Sequence, residues 1–162
     1  MTDQQPITFE AVAALHAPPP TLTEAYGARP QQFGRLRLPR GAGPFPVIVY
    51  VHGGCYRASY SIDHAASVEQ ALADAGYAVW SLEYRRVGDP EGGWPGTFQD
   101  MGAGADHLRV LASRYPLDLT RVVSMGHSAG GNSALWLAAR SRIAANSAIH
   151  VPAPLAIHGV VA

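Results

Sequence analysis

Apolar residues follow two patterns along the chain, alternation in one segment and nearly continuous runs in several others. Residues 33–38 alternate apolar and polar side chains, which predicts a half-buried, antiparallel strand. The continuous runs lie at 47–51, 77–82, 122–125 and 155–161. Runs of this kind are typical of strands covered on both faces, as in a parallel sheet. The sequence therefore predicts one half-buried strand followed by a series of buried ones.

Helical spacing of apolar residues separates the buried runs. It predicts helices over residues 63–75, from residue 97 to about 114, and over 129–140. Thr97 and Asp100 form a capping-box-like pair at the start of the second helix. Strands that alternate with helices imply βαβ crossovers, so we predict an α/β fold with a mostly parallel sheet. The inward residues expected of the first helix are Val68, Ala71, Leu72 and Ala75.

The first 30 or so residues differ from the rest in composition, because they are rich in Ala, Pro and Gln. Residues 18–20 are three prolines, which exclude a helix or a central strand there since proline lacks an amide donor and fixes φ. We therefore divide the chain into an N-terminal arm at 1–32 and an α/β core at 33–162. Neither an internal repeat nor a second domain is indicated.

The composition excludes several classes of function. The chain has 12 basic and 12 acidic side chains, so it lacks the basic footprint of a nucleic-acid binder. Every basic side chain is Arg, and without Lys a Walker-type phosphate loop and Schiff-base chemistry are excluded. No apolar run is long enough to cross a bilayer, and residues 1–6 lack the features of a secretory signal. Cys55 is the only cysteine, so we expect no intrachain disulfide and a cytoplasmic location.

Residues 126–130 read Gly-His-Ser-Ala-Gly, a G-x-S-x-G motif between a predicted strand and a predicted helix. In this context the motif predicts a sharp turn that holds Ser128 in a strained backbone conformation. Gly126 and Gly130 would let neighbouring backbones approach, since they have no Cβ. An ordinary Gly/Ser turn before a helix has a similar composition, but the strand–turn–helix context favours a nucleophilic serine.

A second motif, His52-Gly53-Gly54, follows directly after the first buried run. Acyl transfer needs donors directed at the oxygen that becomes negative, and backbone amides beside glycines can supply them. We expect the amides of Gly53, Gly54 and Ala129 to form this oxyanion hole, assisted by the dipole of the helix that Ala129 begins. A simple turn after a strand is the alternative, and the pairing with the serine motif makes it less favoured.

The motifs at 52–54, 83–85 (Glu-Tyr-Arg) and 126–130 resemble those of the α/β-hydrolase family. The match is to its esterase/lipase-like branch, which includes carboxylesterases and kynurenine formamidase-like enzymes, and it extends from about residue 33 to residue 162. The resemblance implies a mostly parallel sheet with flanking helices. It also implies a serine nucleophile at Ser128, with the oxyanion hole named above.

The same resemblance implies roles for the residues around these motifs. His52 would support the oxyanion loop through its ring nitrogens, and Gly126 and Gly130 would support the serine turn. Cys55 and Tyr56 would face an acyl pocket. Glu83 and Arg85 resemble a structural pair beneath the site. No cofactor or metal is implied.

The chain departs from the family pattern after the serine. The order in this family is serine, then Asp or Glu, then His, yet Asp118 is the last carboxylate and precedes Ser128. His150 and His158 follow the serine, but their positions favour packed or edge residues over a catalytic base. We therefore expect a hydrolase core truncated after the strand that follows the serine helix, with an unpaired apolar edge at 155–161.

Two functional hypotheses remain open from the sequence. The first is a serine hydrolase that acts on small carboxylic esters or related acyl compounds. The alternative is a truncated, non-catalytic hydrolase fragment that only binds ligands or partners. In either case the exposed sheet edge could pair with a second copy of the chain or with a complementing fragment. A dinucleotide-binding site is disfavoured because Gly102 and Gly104 fall within a predicted helix, and the histidines lack zinc-site spacing.

Overall fold

A six-stranded sheet forms the centre of the molecule, in the order β1-β2-β4-β3-β5-β6. The computed structural model describes residues 8–162. The four neighbouring strands β4, β3, β5 and β6 run parallel, whereas β2 pairs antiparallel with β4 and β1 pairs antiparallel with β2. The predicted α/β class is thereby confirmed. The strands are β1 (Leu22–Ala25), β2 (Phe33–Arg37), β3 (Phe45–Val51), β4 (Ala78–Leu82), β5 (Leu117–Gly126) and β6 (Gly159–Val161).

Helices cover both faces of this sheet, as expected for crossovers between parallel strands. One face packs against α2 around Ile48, Tyr50 and Val79. The other packs against α3, α4 and α5 and holds the larger core, which includes the buried side chains of Trp80 and Leu82. The helices are α1 (Phe9–Ala13), α2 (Ala66–Asp74), α3 (Gly96–Asp106), α4 (Leu108–Leu111) and α5 (Ala129–Ala139), with 3₁₀ helices at Ile62–Ala65 and Arg140–Arg142.

The last strand is shorter than predicted. Only Gly159–Val161 pairs with β5, although the apolar run begins at residue 155. Leu155 is buried in the larger core, and its amide donates to the Asp106 carboxylate (2.7 Å). The first half of the run therefore packs as irregular backbone, and its apolar character reflects core contact rather than strand pairing.

The inward face predicted for the first helix is wrong except at Leu72, which packs against the core on this face of the sheet. Val68, Ala71 and Ala75 are exposed, whereas Glu69 and Ala73 are buried. The carboxylate of Glu69 accepts a hydrogen bond from the Arg37 guanidinium of β2 (3.2 Å), and this guanidinium also donates to the Pro18 carbonyl (2.6 Å). A buried ion pair thus turns a charged residue inward, which apolar spacing cannot reveal.

No helix within residues 8–162 has the length and apolar character needed to cross a membrane.

Candidate active site

Ser128 lies in the sharp turn between the end of β5 and the start of α5. Its backbone has φ 58° and ψ −122°, and its side chain is exposed. A positive φ is uncommon for a residue other than glycine and marks stored backbone strain. The hydroxyl makes no capping hydrogen bond to the helix that it precedes. The turn therefore presents the Ser128 hydroxyl at the carboxyl edge of the parallel strands.

The glycines of the serine motif are required by close backbone contacts. A Cβ on Gly126 would clash with the Gly130 carbonyl oxygen and would lie 2.8 Å from the Gly131 nitrogen. A Cβ on Gly130 would clash with the Val51 carbonyl oxygen and would lie 2.8 Å from the His52 carbonyl oxygen. The tight turn can thus sit against the end of β3 only because both positions lack a side chain.

The two sequence motifs lie side by side. Val51, the last residue of β3, pairs with Gly126 of β5, so both motifs follow the same edge of the sheet. A Cβ on Gly53 would lie 3.2 Å from the Ser128 Cβ and 2.6 Å from the His127 carbonyl oxygen. Gly53 is therefore packed against the turn that carries the serine, without intervening side chains.

Three backbone amides of the two motifs lack a carbonyl partner in the described part of the chain. Within residues 8–162, the amides of Gly53, Gly54 and Ala129 donate to no backbone oxygen. Most backbone amides in folded proteins are hydrogen-bonded, so three amides without a backbone acceptor in these two motifs are unusual. Ala129 is also the first residue of α5, where the helix dipole places positive potential. All three amides thus belong to the two motifs that meet at the serine turn.

The loop after Gly54 is strained and tied to α5. Cys55 and Tyr56 have φ values of 52° and 56°, following φ 121° at Gly54. The Tyr56 hydroxyl donates to the Ala129 carbonyl (2.8 Å). Cys55 is exposed. Tyr56 thus contacts the first turn of α5 and links the glycine loop to the serine turn.

His52 is fully buried beneath the glycine loop. Its Nδ1 lies 2.7 Å from the Gly53 carbonyl oxygen and its Nε2 lies 3.1 Å from Glu83 Oε1. Its ring stacks on that of Tyr84, with centroids 4.6 Å apart. These contacts join the His52 ring to the Gly53 peptide on one side and to Glu83 on the other.

Glu83 and Arg85 do not pair with each other. Glu83 Oε1 lies 3.1 Å from His52 Nε2. Arg85 instead forms a bidentate ion pair with Asp100 (2.7 and 2.6 Å). Thr97 is likewise not a helix cap, since its hydroxyl donates to the Arg85 carbonyl (2.5 Å). Asp100 thus binds Arg85 instead of capping α3, and two separate buried contacts, His52 with Glu83 and Arg85 with Asp100, support the loops below the site.

The histidines that follow Ser128 contact other groups. His150 Nδ1 lies 3.0 Å from the Ile143 carbonyl oxygen. The amide of His158 donates to the Val122 carbonyl (2.7 Å). Val122 lies four residues before Gly126 on β5, so this contact is about 13 Å along the strand from the serine motif. Both contacts agree with the packed or edge positions expected from the sequence.

A cavity of about 550 Å³ lies beside the serine turn on the α2 face of the sheet. The sequence did not predict it, because its outer wall is α1, in the segment interpreted as an arm. The helical spacing of Phe9 and Val12, three residues apart, is the sequence feature that could have indicated this helix. Its lining includes Phe9, Val12, Tyr50, His64, Met125 and His127.

Within residues 8–162, no three His, Cys, Asp or Glu side chains are grouped as a metal site would require.

Comparison with known proteins agrees with this geometry. The sequence profile of the BD-FAE family matches residues 36–153, which span both motifs and the strands β3, β4 and β5. The chain belongs to the BD-FAE family. With its sheet topology, this membership places the protein among the esterase/lipase-like α/β-hydrolases.

Two curated relatives and one solved structure show how far the similarity extends. Esterase LipI of Mycobacterium tuberculosis is 31% identical over 97 residues, which are 60% of this chain and 30% of the relative. A probable isoprenylcysteine alpha-carbonyl methylesterase of Arabidopsis thaliana is 29% identical over 110 residues, which are 67% of this chain and 22% of the relative. The structure of an inhibited esterase B of Lactobacillus rhamnosis has a TM-score of 0.66 at 28% identity. The match covers 85% of this chain and 46% of that chain. This BD-FAE chain thus spans less than a third of the length of these two curated relatives.

Proposed function

We propose that this protein is a cytoplasmic serine hydrolase that cleaves small carboxylic esters or related acyl compounds, with Ser128 as nucleophile. The observation that carries the proposal is the strained, exposed Ser128 packed against Gly53. The unpaired amides of Gly53, Gly54 and Ala129 support an oxyanion hole at this position. Esterases among the relatives support the choice of acyl chemistry.

The reaction proceeds by acyl transfer. The Ser128 oxygen attacks the ester carbonyl carbon as its proton passes to a general base, and the carbonyl oxygen becomes an oxyanion that accepts hydrogen bonds from the three amides. The bond to the alcohol oxygen then breaks, and the alcohol leaves with the proton. Water attacks the acyl-serine by the same route and releases the acid. The cavity beside the turn offers apolar volume for one side of the ester.

The general base and its acid are not among the groups described above. His52 is buried and bound to two acceptors, and no carboxylate follows Asp118 in the sequence. The proposal therefore includes a histidine and a carboxylate supplied from outside these residues, by the same polypeptide or by a second one. A non-catalytic binding fragment is less well supported, since binding alone gives no reason for strain at Ser128.

Acylation of Ser128 tests the proposal. The chain is incubated with p-nitrophenyl acetate or a fluorophosphonate, and covalent adducts are measured by intact mass and peptide mapping. We expect one adduct on Ser128, lost in Ser128→Ala and kept in Ser141→Ala, where an exposed serine beyond α5 is removed. Labelling that persists in Ser128→Ala would contradict the proposal. So would a native chain that stays unlabelled when the histidine and the carboxylate are supplied, by a longer form of the polypeptide or by the second one.

A further inference from the structure

A second cavity lies on the opposite face of the sheet from the cavity beside the serine turn. It has a volume of about 300 Å³, and its lining includes Phe98 of α3, Trp136 of α5 and Arg140, the residue directly after α5. Trp136 follows Ser128 by eight residues, which is about 12 Å along a helix. This cavity is therefore separate from the candidate active site.

The outer wall of this cavity is a roof segment, residues 148–151, within a long irregular connection. Residues 143–158 contain neither helix nor strand. Connections of this length are uncommon in compact domains unless they have a function. The exposed side chains of Gln99 and Arg109 donate to the carbonyls of Ala148 and Ala153 (2.9 and 3.1 Å). Because both hydrogen bonds are exposed, the roof segment can open without breaking a buried one.

Two N–H groups of the cavity wall lack a protein acceptor. Trp136 Nε1 and Arg140 Nε are shielded from solvent, and none of residues 8–162 supplies an oxygen to either. Buried N–H groups are nearly always hydrogen-bonded, to protein or to a bound molecule. The two residues are about one helical turn apart, and the guanidinium carbon of Arg140 lies 5.8 Å from the centre of the Trp136 ring. The wall thus combines two donors that an occupant with acceptor oxygens would satisfy.

The charges around these donors favour an anion. The other two guanidinium nitrogens of Arg140 donate to the Asp106 carboxylate (3.1 and 2.5 Å), which Arg109 also contacts (3.3 Å). Asp106 is the only carboxylate among the described residues that line the cavity. Two guanidinium groups therefore face one carboxylate, which leaves one positive charge in excess. A carboxylate ligand would balance it and would form charge-assisted hydrogen bonds.

The remaining lining is largely apolar and aromatic. The rings of Phe98 and Trp136 meet edge to face with centroids 5.0 Å apart, and Ile149 and Val151 of the roof segment complete this part of the lining. An apolar cavity of about 150 Å³ can hold one benzene molecule. The volume of about 300 Å³ is thus sufficient for one aromatic ring that carries a carboxylate.

We propose that this cavity is a binding site for a small aromatic carboxylate. The carboxylate oxygens accept hydrogen bonds from Trp136 Nε1 and Arg140 Nε, and the ring packs against Phe98 and Trp136. The roof segment opens to admit the ligand and closes over it. Ser128 takes no part in this binding, so the inference does not rest on the proposed function.

NMR of the indole N–H groups tests the proposal with benzoate as the probe. The chain has three tryptophans, and the Trp136 signal is assigned by its loss in Trp136→Phe. We expect benzoate to shift the Trp136 signal saturably. The Trp80 signal should stay in place, because its indole donates to the Gly104 carbonyl (2.8 Å). A Trp136 signal that benzoate does not move in the native chain overturns the proposal.

Calorimetric titrations separate the ring from the carboxylate. Benzyl alcohol supplies the ring alone and acetate the carboxylate alone, so each should bind at least about tenfold more weakly than benzoate. Trp136→Phe keeps an aromatic ring and removes one donor, and it should weaken benzoate binding about tenfold. Benzyl alcohol that binds as tightly as benzoate, or native affinity in Trp136→Phe, overturns the assignment of a carboxylate to these donors.

Two matched alanine substitutions test the location. Ala103 lies in the lining and is exposed on α3, so Ala103→Leu should narrow the cavity and weaken benzoate binding about tenfold or more. Ala139→Leu makes the same change at an exposed alanine of α5 outside the lining and should leave the affinity unchanged. Ser128→Ala should also bind benzoate with native affinity. Loss of binding in Ser128→Ala would assign benzoate to the serine turn and would overturn the proposal.

Discussion

Gly130 and Gly131 are neighbours in the first turn of α5, but their surroundings differ. A Cβ on Gly130 would clash with the Val51 carbonyl of β3. A Cβ on Gly131 would have no neighbour closer than 3.4 Å, which is ordinary contact. The contact with β3 therefore requires a residue without a Cβ at position 130, whereas position 131 of α5 has room for the methyl group of alanine.

This contrast predicts opposite effects of one substitution. Gly130→Ala should lower the free energy of unfolding by about 1–3 kcal/mol or more and should reduce acylation of Ser128, because the serine turn must move away from β3. Gly131→Ala should be neutral or stabilising by up to about 1 kcal/mol, since alanine favours a helix. Urea denaturation of both variants gives the comparison. Equal losses of stability would show that backbone crowding is not the cause.

The sequence predicts the contact between the two motifs but not the support beneath them. Carboxyl ends of parallel strands share one edge of a sheet, so His52-Gly53-Gly54 and Ser128 could be placed together from strand order alone. The pairing of His52 with Glu83 depends on how two loops pack, and no periodicity in the sequence encodes it. Gly53 beside the serine could thus be expected, whereas the acceptors around His52 could not.

At the scale of elements, α2 is attached to β2 by a buried ion pair. Arg37 and Glu69 are both almost fully buried, and their side chains lie 3.2 Å apart. Removal of one partner leaves an uncompensated charge in a buried site, which costs far more than the intact pair contributes. The inward face of α2 was mispredicted for this reason, since apolar spacing treats every Glu as exposed.

We therefore predict that Arg37→Met destabilises the protein by about 3–5 kcal/mol, and that Arg37→Met combined with Glu69→Met recovers most of this loss. Arg35→Met is the matched control, because its partner Asp63 is exposed, and it should cost less than about 1 kcal/mol. Denaturant unfolding measures the free energy of unfolding of the single and double variants and checks whether their losses of stability follow this order. A double variant as unstable as Arg37→Met would contradict the ion-pair argument.

The Tyr56 hydroxyl joins the glycine loop to α5, where it lies within hydrogen-bond distance of the Ala129 carbonyl, Asn132 Oδ1 and Ser133 Oγ (2.8, 3.0 and 3.0 Å). Tyr56→Phe removes these contacts and should lower the free energy of unfolding by about 1 kcal/mol or more. Because the loop carries Gly53 and Gly54, the rate of Ser128 acylation should fall as well. Tyr77→Phe, at an exposed tyrosine just before β4, is expected to change neither quantity. An unchanged acylation rate in Tyr56→Phe would show that Tyr56 only packs.

At the scale of the whole molecule, the two edges of the sheet differ in charge. β1 carries Glu24, which binds His107 and Arg114 at 2.7 and 2.6 Å. β6 is Gly-Val-Val without a charged side chain, and the described structure places no strand beyond it. Natural sheets protect their edges with charges or cover. The sequence predicted the unpaired apolar edge, but the length of its paired part was overestimated because Leu155 belongs to the core.

An uncovered edge of this kind pairs with a second copy, so we predict that this 162-residue chain self-associates through β6. Val161 is 49% exposed, and Val161→Lys should weaken association about tenfold or more, because like charges would meet across paired edges. Val110→Lys makes the same chemical change at a valine of α4 that is 50% exposed and lies outside the sheet, so it should leave association unchanged. Sedimentation velocity over a range of concentrations measures both. A native chain that stays monomeric throughout would show that β6 is protected without a partner, and equal weakening by both variants would assign the effect to net charge.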